Sequence, residues 1–128
     1  MLDHLGFYVR DAKASLGFYR ACLAPLGIAV VQEQRGGKAM IFMRANEKMF
    51  LWLGEADPGD PRTATPGSSP VHLGFAAGSA AEVDAFHAAA LKAGGRDNGP
   101  PGWRNSRVYG AFVYDPDGNN IEADYRPD

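Results

Sequence analysis

The chain has 128 residues, 45% of them hydrophobic and 22% charged, with a formal net charge of −2 and a pI near 5.9. That length suits one ordinary domain, or two half-size modules that share a core. The charge balance offers no basic footprint for nucleic acid, no apolar run approaches the roughly 20 residues of a membrane span, and Met1 leads straight into a strand-like pattern, so a cytoplasmic protein without a signal peptide is expected.

Leu2 to Val9 reads as a strand, with Leu5, Phe7 and Val9 on one face and His4, Gly6 and Tyr8 on the other. Asp11 is an expected N-cap. The helix that follows should bury Phe18, Tyr19, Cys22, Leu23 and Leu26, and Pro25 and Gly27 should stop it. Cys22, the single cysteine, reads as a small core residue in a reducing compartment. Strands are expected over 28–33, 39–43 and 48–53, with turns at Gly36-Gly37 and at Ala45-Asn46-Glu47.

Residues 55–70 hold Pro58, Pro61, Pro66 and Pro70 with glycines and serines, and read as a linker between modules 1–54 and 71–128. His72 to Ala77 should then be a strand. Ser79 with Glu82 forms a capping-box pattern ahead of a helix that buries Val83, Phe86, Ala90 and Leu91 and ends at Gly94-Gly95. His87, on this helix, reads as a boundary residue. An irregular stretch is expected from Arg96 to Arg107, where the repeat calls for the module's first post-helix strand though the residues mark it least, followed by strands over 108–114 and 120–125 joined by the turn Asp115-Pro116-Asp117-Gly118.

The chain repeats itself. His4-Leu5-Gly6-Phe7 returns as His72-Leu73-Gly74-Phe75, and the ungapped match of 4–27 with 72–95 continues through Ala12/Ala80, Phe18/Phe86, Ala21/Ala89, Leu23/Leu91 and Gly27/Gly95. Two copies of one β-α-β-β-β unit follow, each opening with a strand that carries a histidine. The expected fold is α+β, with two such modules forming a curved mixed sheet around a cavity. In each strand the histidine shares a face with a glycine at i+2, which leaves room in front of the sheet. A lone histidine at a strand start is ordinarily a surface residue; the repeat singles these two out. If pseudo-twofold symmetry relates the modules, His4 and His72 converge, and two imidazoles facing one cavity begin a divalent metal site. Glu122 lies between Ile121 and Ala123, which should face the helices, so its carboxylate points to the histidine-bearing face. His4, His72 and Glu122 would then form a two-histidine, one-carboxylate set with open coordination positions.

The paired modules, the two strand-opening histidines and the tail from Tyr109 to Ala123, with its Asp-Pro-Asp-Gly turn and following Glu122, resemble the vicinal oxygen chelate superfamily. That group includes glyoxalase I, extradiol dioxygenases, fosfomycin and bleomycin resistance proteins and methylmalonyl-CoA epimerase. By this resemblance His4, His72 and Glu122 fall on three metal-ligand positions. The fourth, a carboxylate or amide in glyoxalase I, is matched by Trp52; Glu47 and Glu55 only flank that strand. The resemblance implies a small metal-dependent enzyme of glyoxalase or dioxygenase type. Its substrate would be a small molecule that chelates the ion through neighbouring oxygens. Fe(II) or Mn(II) ranks before Zn(II) or Ni(II). Glu122, or a metal-bound hydroxide, is the candidate general base.

Trp52, Trp103, Arg104, Arg107, Tyr109 and Tyr114 are candidate substrate-binding residues, with Tyr8 a further hydrogen-bond donor. The stretch from Gly99 to Arg107 is expected to close over the open coordination positions. A homodimer is expected, because each module is half of a barrel-like sheet whose concave face and edges need covering. The alternative is a metal-free drug-binding protein of bleomycin-resistance type, with Trp52 and Trp103 as stacking surfaces. A scaffold with a decayed site is a third reading.

Overall fold

The computed structural model describes residues 2–60 and 71–127. In chain order the elements are β1 (Leu5–Val9), α1 (Ala12–Leu23), β2 (Ile28–Gln34), β3 (Ala39–Arg44), β4 (Met49–Glu55), β5 (His72–Ala77), α2 (Ala80–Lys92), β6 (Arg96–Asn105), β7 (Val108–Tyr114) and β8 (Asn120–Tyr125). Each half is therefore β-α-β-β-β, as the internal repeat requires. The halves make two four-stranded sheets, ordered β1-β4-β3-β2 and β5-β8-β7-β6. In each, the first strand runs parallel to the last and the remaining pairs are antiparallel. Neither sheet closes on itself.

Local chemistry sets the helix ends. Asp11 accepts from Ala14 N–H at 3.0 Å, and Ser79 from Glu82 N–H at 3.2 Å, each satisfying a donor that the first turn leaves free. Glu82 reaches back one residue further than the expected box and accepts from Gly78 N–H at 2.6 Å. After α1 a short turn of 3₁₀ helix through Pro25 ends at Gly27, whose φ of 72° is left-handed.

The helices pack on each other and on one face of each sheet, so both halves share a core of Phe18, Tyr19, Leu23, Phe42, Leu53, Val83, Phe86, Val113 and Ile121. Each fully buried Phe or Leu contributes about 1.5–3 kcal/mol through loss of apolar surface to water. Gly95 is required by this packing: a Cβ there would lie 2.6 Å from Phe18 and 2.9 Å from the Ala90 carbonyl oxygen. Cys22 is buried, and burial pushes its thiol pKa up, consistent with a packing role.

The turn after β7 ties the halves together. Buried Asp115 accepts from Tyr19 OH of α1 at 2.5 Å and from the backbone of Asp117 and Asn119. Asn119 Oδ1 accepts from Val71 N–H, and Asp117 Oδ2 from Arg10 N–H. Arg44 adds a further link, donating to the carbonyls of Leu26 and Ala76.

Four details differ from the sequence expectations. The stretch from Arg96 to Asn105 is a strand, not an irregular segment. It tolerates Pro100-Pro101 because it is an edge strand, and its register with β7 shifts between 97 and 99, 99 and 102, and 103 and 105. On α2 the buried face is Val83, Phe86, His87 and Ala90, while Leu91 is turned outward. His87 fits this buried position because its Nε2 pairs with Asp97 Oδ1 of β6 at 2.9 Å. β1 begins at Leu5, leaving His4 just outside it. Glu55 belongs to β4, and its carboxylate is engaged at 2.9 Å by Ala12 N–H at the start of α1. Most of the expected linker, 61–70, lies outside the described residues. No described helix is long and apolar enough to cross a membrane.

Candidate functional site

Strand alternation divides each sheet into a helix-facing side and an open side. In the second sheet, Phe75, Ala111, Val113, Ile121 and Ala123 are buried against the helices. The residues between them, His72, Gly74, Phe112, Glu122 and Asp124, share the open side. Register sets the neighbours: Glu122 pairs with Phe112 on β7 and with Gly74 on β5, and Asp124 with Gly110.

His72 and Glu122 meet there, with Nε2 and Oε2 3.2 Å apart. The His72 side chain is 55% exposed and that of Glu122 only 14%. The imidazole stacks on Phe112, ring centres 6.5 Å apart and planes 20° off parallel. Among the described residues a Cβ on Gly74 would meet only Glu122 Oε2, at 3.6 Å, so this side of the pair is uncrowded. Burial is the largest influence on Glu122, and the adjacent Asp124 carboxyl adds a hydrogen bond and charge repulsion. Together they push its pKa up to about 7, against the pull of Arg126 and Arg104. Asp124 bonds Arg126 through Oδ2 at 3.1 Å, while its Oδ1 is buried without a partner among the described residues. Gly110 makes room for that oxygen, since a Cβ would lie 2.5 Å from it. A cavity of about 430 Å³ lined by Gly74, Ala76, Ala77, Asp124 and Arg126 adjoins the pair.

Arg104 reaches the same side from β6. Its guanidinium lies 4.9 Å over the Phe112 ring and donates to the carbonyls of Pro100 and Gly110 at 2.6 and 2.9 Å. Tyr114 shares this face through its pairing with Asn120, and Arg96 lies 5.0 Å over its ring. Trp103 and Tyr109 are elsewhere. They pair across β6 and β7 with rings 5.4 Å apart, and Tyr109 OH donates to Asp84 of α2, so both lie on the helix-facing side. Arg107 is at the tip of the β6–β7 hairpin, its N–H bonded to Asn105 Oδ1. The expected loop over the site is this edge strand and hairpin, and of its three named side chains Arg104 faces Phe112.

The open side of the first sheet carries His4, Tyr8, Phe50 and Trp52. His4 is 56% exposed and hydrogen-bonded to Asp3 at 2.8 Å. With Phe50, Leu73 and Gly74 it lines a cavity of about 210 Å³ between the halves. It does not join His72 and Glu122 in a cluster: among the described residues no three His, Cys, Asp or Glu side chains are set to hold one ion. Among the described residues of one chain, His72 and Glu122 thus stand as a pair and not as a three-donor set.

Two site residues were not singled out by sequence reasoning. Phe112 orients His72 and Arg104, and Asp124 perturbs Glu122. Both follow from alternation once the β7–β8 turn fixes the register, because Phe112 stands opposite Glu122 and Asp124 lies two residues beyond it.

A family model described as the glyoxalase/bleomycin resistance protein/dioxygenase superfamily matches residues 1–123. The crystal structure of a glyoxalase/bleomycin resistance protein from Albidiferax ferrireducens T118 is similar over 99% of both chains, with 37% identity and a TM-score of 0.78. Lactoylglutathione lyase from Agrobacterium tumefaciens shares 25% identity over 98% of this chain and 92% of its own, with a TM-score of 0.66. A glyoxalase/dioxygenase from Nostoc punctiforme, 23% identical over 100% of this chain and 92% of its own, has the same fold, with a TM-score of 0.71. No curated protein matches the chain significantly. The chain belongs to the glyoxalase/bleomycin resistance protein/dioxygenase superfamily.

Proposed function

We propose that the protein is a metal-dependent enzyme acting on a small molecule with two neighbouring oxygen donors. His72 and Glu122 would hold one divalent ion, with His4 as the third donor. The observation that carries this reading is the His72–Glu122 pair, 3.2 Å apart on the open side of the second sheet. Because His4 of the same chain stands outside that pair, the third donor is assigned to His4 of a second copy in a twofold homodimer. Such an ion supplies Lewis-acid stabilisation of charge developing on the substrate oxygens. Two histidines and one carboxylate favour Fe(II) or Mn(II), then Zn(II) or Ni(II).

The chain's own residues would do the rest. Phe112 holds the His72 ring in place. Glu122, the carboxylate beside the open positions, would be the group that accepts and returns a proton. Arg104, presented on Phe112, offers positive charge to an anionic substituent, and Tyr114 walls the same face. The lyase and dioxygenase activities named for similar proteins both fall within this chemistry.

The test is Mn(II) titration followed by electron paramagnetic resonance. Wild type should take up one ion per chain, and the His72→Ala and Glu122→Ala variants should bind at least tenfold more weakly. Equal uptake by the variants would overturn the assignment. A second reading, a metal-free binding protein, is favoured by Trp52 at the position of a fourth donor, and no uptake of any divalent ion would support it.

A further inference from the structure

Where the β3–β4 turn of the first half meets β5 of the second lies a cavity of about 200 Å³, whose lining among the described residues includes neither His72 nor Glu122. The turn supplies its charges. Glu47 N–H closes on the Arg44 carbonyl at 3.1 Å, with Asn46 left-handed at φ 63°, and this sets the Arg44 and Glu47 side chains next to each other. Arg44 Nη1 and Glu47 Oε1 are 4.0 Å apart, too far for a hydrogen bond. The guanidinium is held in place by its other nitrogens, Nε and Nη2, which donate to the carbonyls of Leu26 and Ala76 at 3.3 and 2.7 Å. Among the described residues Nη1 has no hydrogen-bond acceptor and the Glu47 carboxylate no donor, and both residues line the cavity.

The remaining walls are apolar side chains and backbone. Ile28 is buried, and the rings of Phe50 and Phe75 meet edge to face with centres 6.3 Å apart. β5 is an edge strand, and the Val71 carbonyl accepts from Asn120 N–H of β8, so alternation turns the N–H and C=O of Gly74 to the outer edge, where the cavity lies. Gly74 and Ala76 are exposed, so the cavity opens to solvent along this edge. Its volume of about 200 Å³ is small against the roughly 300–1,000 Å³ of sites for drug-sized ligands, and suits one small molecule. Charge narrows the choice. A simple anion would be repelled by Glu47 and a simple cation by Arg44, whereas a molecule carrying both charges a few atoms apart gains from each. The apolar walls reward a hydrocarbon branch on that molecule. We infer that this cavity is a binding site for a small apolar α-amino acid, with its carboxylate on Arg44, its ammonium on Glu47 and its side chain against Phe50 and Phe75. The site is separate from the His72–Glu122 pair and does not depend on the metal reading.

The test is calorimetric titration of L-valine into the full chain. The controls are isovalerate, which lacks the ammonium, isobutylamine, which lacks the carboxylate, and glycine, which lacks the branch. Wild type should bind L-valine at least tenfold more tightly than any control. Glu47→Gln should weaken L-valine at least tenfold, and Ala76→Leu, whose side chain fills the cavity, should abolish binding. Both variants should keep the wild-type circular dichroism spectrum, which separates loss of the site from loss of the fold. Because the site is built from both halves, saturating L-valine should raise the melting temperature of wild type and leave that of Ala76→Leu unchanged. The inference is overturned if L-valine does not bind, if any control binds within twofold of it, or if either variant binds it within twofold of wild type. Absence of Mn(II) uptake with L-valine binding intact would sink the metal reading and leave this one standing.

Discussion

Replacing Tyr19 with phenylalanine removes one oxygen from the centre of the molecule and should cost about 2 kcal/mol. Tyr19 is fully buried, and its hydroxyl donates to Asp115 Oδ2 at 2.5 Å. Burial, then the Asp115 charge, raises the phenol pKa well above its ordinary value, so the tyrosine stays neutral and serves as the hydrogen-bond donor. Hydrogen bonds to a charged group are worth about 1.5–3 kcal/mol, more than neutral ones. The cost stays below the about 3–5 kcal/mol of an orphaned buried charge, because Asp115 keeps the N–H groups of Asp117 and Asn119 and the Asn119 amide. For 128 residues, an unfolding entropy of about 2.1 cal/mol/K per residue gives roughly 0.27 kcal/mol/K, so the melting temperature should fall by about 7 °C. Calorimetric melting of the metal-free protein at pH 7 measures this. Metal affinity should be unchanged, since the bond joins α1 to the β7–β8 turn and not to the open face. A drop below about 2 °C would refute the view that this turn clasps the two halves together.

Glu122 has a folded-state pKa raised to about 7 from an ordinary 4.5, so its contribution to stability is full below pH 4.5 and is lost as pH rises through 7. Metal-free wild type should therefore lose melting temperature between pH 5 and pH 8 relative to Glu122→Gln; parallel curves would contradict the shift. If sites are shared between copies, refolding an equal mixture of His4→Ala and Glu122→Ala chains should restore about a quarter of the wild-type metal sites. Sites built within one chain would restore none, and a monomer in sedimentation would rule out sharing. Trp103→Ala should leave ligand affinity within twofold, because Trp103 lies on the helix-facing side. Arg104→Ala should weaken an anionic ligand at least tenfold, and equal effects of the two would contradict the assignment of faces.

Much of the architecture could be read from the chain because its signals are local. Asp11 and Ser79 sit where helix starts need acceptors, Gly27 where a left-handed residue is needed, and the His-Leu-Gly-Phe echo announced the second module. β6 was obscured because Pro100, Pro101 and three register shifts erase the alternation that marks a strand, and only its edge position makes them tolerable. Leu91 and His87 exchanged places because burial on α2 was settled by a partner on β6, Asp97, ten residues away. At the site, Glu122 was legible from its apolar neighbours Ile121 and Ala123, and its meeting with His72 follows from the parallel pairing of β5 with β8. Asp124 and Phe112 acquire meaning only when the strands are paired. Trp103 and Tyr109 had no sequence signal to tell which face they take; the contact of Tyr109 with Asp84 decides it. The indole of Trp52 occupies the space over Gly54 and beside Gly6, a relation between two strands that periodicity along one cannot reveal.

The proposed function stands on the binding of a divalent ion by His72 and Glu122. Its most direct test is elemental analysis by plasma mass spectrometry of the wild-type protein after loading with Fe(II), Mn(II), Zn(II) or Ni(II) and desalting, beside Glu122→Ala treated identically. Wild type should retain close to one ion per chain for at least one of these metals, and Glu122→Ala less than a tenth of that. Wild-type protein that retains none of the four, or Glu122→Ala that retains as much as wild type, would contradict it.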